Sequence, residues 1–313
     1  MSARTALATP VLVLIGPTAI GKTALSLQIA THFGCEIISM DSMQVYRFMD
    51  IGTAKASEEE RALVPHHLID IVDPDDQYDA ARFVADALRA IVEISGRGRI
   101  PLITGGTGLY LAALTKGLFA DIPISAAIRD RLRSRLEREG RELLHQELST
   151  VDPESAARVH INDTQRLLRG LEIYTATGIP WSEHLRRQQT SATPRPLTNL
   201  MQVGLNCDRS VLYDRIKERT LGMMSDSFQQ EVEGLLARGY AATLPAMQSI
   251  GYRHMLGCIL GQYDRDTATN ELIRDTRRYA KRQMTWFGRS PDIRWYDRGQ
   301  GSQVLTDVEN FLK

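Results

Sequence analysis

The chain has 313 residues, 43% of them hydrophobic and 24% charged, with 38 Lys+Arg balancing 38 Asp+Glu. This is the make-up of a soluble globular protein with a sizeable core, and zero net charge leaves any partner to be argued from local charge. Cys35, Cys207 and Cys258 show no Cys/His ligand spacing, and no stretch has signal-peptide or membrane-spanning character, so a soluble cytoplasmic protein with reduced thiols is expected.

The apolar run Val11–Ile15 predicts a strand, and Ala24, Leu25, Leu27, Ile29 and Ala30 predict a helix after it. Between them stands Gly16-Pro17-Thr18-Ala19-Ile20-Gly21-Lys22-Thr23, in the strand–loop–helix setting where G-x-x-x-x-G-K-[ST] binds phosphate. Backbone N–H groups and the helix N-terminus would face the phosphate oxygens. Lys22 can reach the outer phosphates, and the Thr23 hydroxyl can ligate magnesium. Glu36–Asp41 predicts a second strand ending in a carboxylate, and Leu68–Val72 a third. Ala80–Ile94 has helical spacing, and Ile100–Thr107 is a strand running into the glycine turn Gly105-Gly-Thr-Gly108.

Strands alternating with helices predict a mostly parallel sheet flanked by helices, with ligands at the carboxyl ends of the strands. From position alone, Asp41 can be a general base, a magnesium partner through water, or a helix cap. The glycine turn serves loop geometry or substrate contact equally well, and His66-His67 reads as structural.

Composition shifts after Gly117. Ile128–Leu148 reads as an arginine- and glutamate-rich helix, and a second helix begins near Asp163 and stops around Gly178-Ile-Pro180. Gln188–Asn199 reads as a linker or exposed loop. The expected organisation is an α/β core of 1–117 and 200–313 with a helical insertion at 118–199. Met201–Leu205 returns to the sheet, and helices follow at Val211–Lys217, Phe228–Arg238 and Asn270–Phe287. Between Arg274 and Arg289 six basic residues face Asp275 alone. Arg274, Arg278, Lys281 and Arg282 share a helical face, which suits either a polyanion surface or a solvated helix.

Together these segments resemble the bacterial tRNA dimethylallyltransferase (tRNA isopentenyltransferase) family over nearly the whole chain. The similarity is carried by GPTAIGKT (16–23), MDSMQVYRFMDIGTAK (40–55), PHHLIDIVDP (65–74), FVADA (83–87), GRIPLITGGTGLYLAAL (98–114), NDTQRLLRGLEIYTATG (162–178), SIGYR (249–253) and AKRQMTWFGR (280–289). The resemblance implies a P-loop NTPase-like core and transfer of the dimethylallyl group from dimethylallyl diphosphate to N6 of the adenosine 3′ to a tRNA anticodon. Gly16–Thr23 would bind the diphosphate, with Lys22 and Thr23-bound Mg2+ stabilising the leaving charge. Asp41 would be the base and Thr107 would orient the donor. The resemblance also implies tRNA contacts at Asp41, Ser42, Met43, Gln44, Thr107, Arg129, Gln165, Arg166, Arg169, Gly251, Tyr252, Arg253, Lys281, Arg282, Gln283 and Trp286. A monomer acting away from membranes is expected. Ile20, Phe48, Ala56 and Ser227 depart from the family's usual residues. An ATP-dependent small-molecule kinase, or prenyl transfer to free adenine nucleotide, would also use the loop and Asp41.

Overall fold

The apolar run Val11–Ile15 is strand β1, and all five of its residues are buried. Val11, Val13 and Ile15 join one hydrophobic cluster while Leu12 and Leu14 join another. A strand covered by helices on both faces requires that alternation. The computed structural model describes residues 7–117, 122–190 and 196–313. The chain divides into two compact units, 1–116 with 195–313, and 117–194.

In the first unit β1 is followed by α1 (Lys22–Phe33), β2 (Cys35–Met40), α2 (Glu58–Leu63), β3 (His66–His67), α3 (Ala80–Gly96), β4 (Ile100–Gly105) and α4 (Gly108–Lys116). The second unit holds α5 (Ala126–Val151), α6 (Pro153–Arg158), α7 (Thr164–Thr177) and α8 (Trp181–Thr190). The first unit resumes with β5 (Leu200–Asn206), α9 (Arg209–Met223), α10 (Asp226–Ala237), α11 (Tyr252–Ile259), α12 (Arg265–Phe287), β6 (Ile293–Asp297) and α13 (Gly301–Leu312). Six parallel strands form one sheet in the order β3-β2-β4-β1-β5-β6. No described helix is long and apolar enough to cross a membrane.

Several elements differ from the sequence expectation. The edge strand is His66–His67, not Leu68–Val72. Leu68 and Asp70 take left-handed φ values of 61° and 57°, which end the extended run, and only Val72 returns to a bridge, with Tyr46. Helix α5 is broken at Gly140 (φ 82°, ψ 171°), a conformation open to glycine and outside the helical region. Of the expected linker, Gln188–Thr190 belongs to α8, and 191–195 lie outside the described residues. Strand β6 and helix α13 were not anticipated.

The long connection after β2 is held by two polar centres. The Lys55 side chain is 1% exposed and its ammonium meets the Tyr46 carbonyl oxygen (2.9 Å), Asp50 (2.5 Å) and Asp70 (2.6 Å). Glu231 on α10 accepts from the backbone N–H groups of Asp50, Ile51 and Gly52 and from the Tyr252 hydroxyl. A carboxylate satisfying three clustered amides fixes that turn as a side-chain cap fixes a helix N-terminus.

Glu231→Ala should therefore lower unfolding free energy by roughly 2 kcal/mol, because several donors, most of them part-buried, lose their acceptor together. Urea unfolding with an unchanged m-value reads this directly. A midpoint equal to that of the parent protein would show that the turn holds itself.

Candidate active site

The register of the sheet sets three loops side by side. Gly105 at the end of β4 is paired with Met40 on β2 and with Ile15 on β1. The chain therefore leaves the three strands at one level, as Asp41, as Gly16 and as Gly106-Thr107. A Cβ on Gly105 would lie 2.1 Å from the Met40 carbonyl oxygen, and one on Gly106 would lie 2.1 Å from the Gln283 amide nitrogen. The glycines of this turn are required by close packing, the geometric one of the two expected roles.

The loop Gly16–Thr23 enters α1 with Gly16, Ala19 and Gly21 at φ 151°, 65° and 110°. Gln283 ties it to the neighbouring turn. The Gln283 side chain is 5% exposed, its Oε1 accepts from Thr18 N–H and its Nε2 donates to the Gly106 carbonyl oxygen, both at 2.9 Å. The Lys22 ammonium donates to the carbonyl oxygens of Gly16 and Pro17 at 2.9 Å. Part of its side chain still meets solvent, yet the surrounding protein withdraws most of its hydration. Desolvation first, and then the nearby Arg219 charge, lower its pKa to about 7 against the opposing pull of Asp41.

Asp41 Oδ1 accepts from Met43 N–H (2.8 Å) and Gln44 N–H (3.3 Å), an Asx-type turn that orients the carboxylate. Thr107 Oγ1 accepts from Ser42 N–H at 3.2 Å, which joins the loops after β2 and β4. Asp41 lines two adjoining cavities. The larger, about 500 Å³, is polar and includes Lys22, Thr23, Gly106, Arg215 and Arg219. The smaller, about 260 Å³, is walled by Met43, Ile216, Met223, Ile250 and Leu272. Both include Thr18, Asp41, Arg219 and Tyr279. Burial first, then the Asp41 charge, keep the Tyr279 hydroxyl protonated well beyond the ordinary range of a tyrosine.

Arg215, Arg219 and Tyr279 were missed in the sequence. Arg215 donates to the Ala19 carbonyl oxygen at 2.8 Å, and Arg219 to Thr18 Oγ1 at 3.3 Å. The two arginines are four residues apart on one face of α9, the only signal the sequence held. Nothing local says that this face meets the crevice.

The residues expected to touch RNA fall into distinct environments. Gly251 is buried, and Tyr252 is 0% exposed, packed edge-to-face on Phe228 with its hydroxyl held by Glu231. Gly251 and Tyr252 lie inside the fold, and Gln283 is buried but lines the polar cavity beside Asp41. Their polar groups are consumed by internal bonds. Gln44 also turns inward, accepting from Ser39 Oγ and donating to the Thr53 and Ala54 carbonyl oxygens.

The basic face of α12 is likewise divided. Arg274 pairs with Glu271 and Asp275, Arg278 with Asp275, and Arg253 with Asp275 as well. Lys281 and Arg282 are exposed and in no ion pair with any described residue. In the second unit Arg129 and Gln165 are exposed, Arg166 pairs with Asp163, and Arg169 lies 3.7 Å from Glu172.

Residues 44–290 match the family model described as IPP transferase, and residues 9–66 match that described as isopentenyl transferase. The chain is 52% identical to the tRNA dimethylallyltransferase of Desulfotalea psychrophila, over 97% of this chain and 96% of that one. It is 46% identical to the enzyme of the same name from Desulfosudis oleivorans, with the same coverage. Among solved structures, the tRNA isopentenylpyrophosphate transferase of Bacillus halodurans is similar at a TM-score of 0.70 and 38% identity, covering 97% of this chain and 96% of that one. A eukaryotic dimethylallyltransferase crystallised acting on tRNA is similar at a TM-score of 0.78 and 28% identity, covering 97% and 77%.

A polyanion in the polar cavity would raise the Lys22 pKa from about 7, so binding takes up a proton above that pH. The Lys22-dependent part of the affinity for inorganic diphosphate should then be largest below pH 7 and fall by up to about tenfold per pH unit above it. Titration calorimetry of the parent protein and of Lys22→Met, compared across pH, isolates that part. No difference between the two curves would remove Lys22 from the site, and a constant difference would remove its titration near pH 7.

Proposed function

This chain belongs to the tRNA dimethylallyltransferase family, and we propose that it transfers the dimethylallyl group of dimethylallyl diphosphate to N6 of the adenosine 3′ to a tRNA anticodon. The observation that carries the reading is the meeting of two unlike cavities at Asp41, one polar and bearing Lys22, Arg215 and Arg219 beside the glycine-rich loop, the other walled in large part by Met43, Ile216, Met223, Ile250 and Leu272. A phosphorylated allylic donor has those two halves, and its reactive carbon lies between them.

Adenine N6 is a weak nucleophile because its lone pair is delocalised into the ring. Asp41 accepts the N6 proton as the bond from N6 to the allylic carbon forms. The carbon–oxygen bond breaks with its electron pair moving to the diphosphate, which departs as the leaving group. Lys22, Arg215, Arg219 and the N–H groups at the start of α1 face that growing charge, and oriented charges inside a cleft act more strongly than in water. The turn bonds at Asp41 Oδ1 and the Thr107–Ser42 link hold the base in place in advance, which is where positioning lowers a barrier. To reach Asp41 the adenine leaves its stack, as bases do for enzymes that modify them.

Magnesium fits this site as an ion held mainly by the substrate. Thr23 opens α1 as an exposed hydroxyl on the polar cavity, and Asp41 lines the same cavity. No cluster of three or more acidic, histidine or cysteine ligands occurs among the described residues. Magnesium bound through phosphates, waters and one hydroxyl needs no such cluster. Thr23 would hold it against the diphosphate, with Asp41 reached through water, and the ion would neutralise leaving-group charge. The RNA would be held by exposed cations, Lys281 and Arg282 on α12 and Arg129 and Arg166 in the second unit.

Unmodified tRNA incubated with labelled dimethylallyl diphosphate and magnesium, without ATP, should acquire label in the anticodon loop. Label on free adenine nucleotide, or a requirement for ATP hydrolysis, would point to the kinase-like or free-nucleotide readings. Asp41→Asn should keep tRNA affinity and reduce the single-turnover rate by about 10²–10⁴-fold, as loss of a general base does; an unchanged rate would remove Asp41 from that role. Lys281→Ala combined with Arg282→Ala should weaken tRNA binding and reduce the salt slope of its binding constant by about two, near one per phosphate contact. An unchanged slope would take this face of α12 off the RNA.

A further inference from the structure

A third cavity, about 160 Å³, lies between α4 and the end of α12, against β5 and β6. It shares no lining residue with the two cavities around Asp41. Its size is below the roughly 300–1,000 Å³ that encloses a whole drug-sized ligand, and suits one inserted ring. One wall is the Trp286 indole, 37% exposed and packed on the Cα of Gly108. Leu111, Phe287 and Ile293 supply apolar contact.

At the floor is Gln202 of β5. It is 8% exposed, and no described residue hydrogen-bonds its side-chain amide. Its amide atoms are not among the fully sealed, unpartnered ones, and the residue lines the cavity. A buried amide lacking a partner costs stability unless something supplies one. The rim carries Lys116 and Arg289, both exposed and neither in an ion pair with any described residue.

An aromatic wall, an amide with donor and acceptor side by side, and unpaired cations at the rim are the parts that hold a nucleotide. The ring stacks, the amide reads a base edge, and the cations meet the flanking phosphates. We propose that this cavity captures a second unstacked nucleobase of the RNA substrate, separate from the base that reacts, with Trp286 as its stacking surface and Gln202 as its base-edge reader. The inference rests on the tRNA reading above and adds a specificity-determining subsite to it.

The test is a double-mutant cycle on dissociation constants. Anticodon stem-loop RNAs, each made abasic at one loop position outside the target adenosine, are titrated against the parent protein, Gln202→Leu and Trp286→Leu. At one position the missing base should weaken binding to the parent by about tenfold, the scale of one stacked base. Against either variant the same lesion should cost less than about twofold. Thermal melts identify a variant that misfolds, and the other then carries the cycle. Equal costs in parent and variants at every position would overturn the subsite. Prenylation of the intact stem-loop by the parent, measured in parallel, separates the two readings: activity with no coupling removes the subsite alone, whereas no RNA binding at all removes both.

Discussion

The carbonyl of Met40 occupies the space where a side chain on Gly105 would begin, 2.1 Å from the position of its Cβ. That contact lets β2 and β4 end together, paired Met40 to Gly105, while Ile15 of β1 pairs with the same glycine from the other side. Parallel strands keep their hydrogen-bond register along their length, so the level at which each chain leaves the sheet is fixed once the ends are paired. Asp41, Thr107 and the loop from Gly16 to Thr23 then surround one opening without any of them reaching for it. A longer side chain at 105 would press on a backbone atom, which cannot swing away. The loops would have to separate, and the link from Ser42 N–H to Thr107 Oγ1 would go with them.

Charge in this opening is unevenly compensated. Lys22, Arg215 and Arg219 line the polar cavity with Glu60, Glu218 and Asp41, and Lys22 is partly discharged at neutral pH because of its desolvation. Its ammonium is directed at two carbonyl oxygens of its own loop, which are weaker partners than phosphate oxygens. A bound polyanion would offer Lys22 stronger acceptors than these carbonyls and draw its proton back. The same sorting runs along α12. The charges near Asp275 are internally satisfied, whereas those nearer its C-terminus are exposed and unpaired. The latter meet an external anion without first giving up a carboxylate partner.

Rigidity comes from polar side chains that hold the irregular segments from beside them. Lys55, Glu231 and Gln283 each bind several backbone or side-chain partners in the loops that frame the crevice. Their satisfaction keeps strained residues in place, including Ala19 at φ 65° and Phe48 at φ 65°. A side chain in that left-handed region costs roughly 1–2 kcal/mol. Here the Arg238 guanidinium lies 4.3 Å from the Phe48 ring centroid, a contact a glycine could not make.

Local pattern alone determined a good deal. The run Val11–Ile15, the glycine-rich loop and the helix behind it were legible because strand, loop and helix are adjacent in sequence and each has its own periodicity. The α/β alternation announced a parallel sheet, and the position of Asp41 at a strand end was visible with it. The short edge strands were not legible. β3 has two half-buried residues, and β6 shows only two buried side chains in five, too few to impose a period of two. Tertiary structure alone decided which polar side chains are exposed. Gln283 and Tyr252 stand in segments that resemble RNA-contacting motifs, yet they face inward because their partners, Thr18, Gly106 and Glu231, are supplied by distant parts of the chain. Arg215 and Arg219 joined the site for the converse reason. A helix's sequence gives its faces, but the neighbour each face meets is set by packing between residues far apart in the chain.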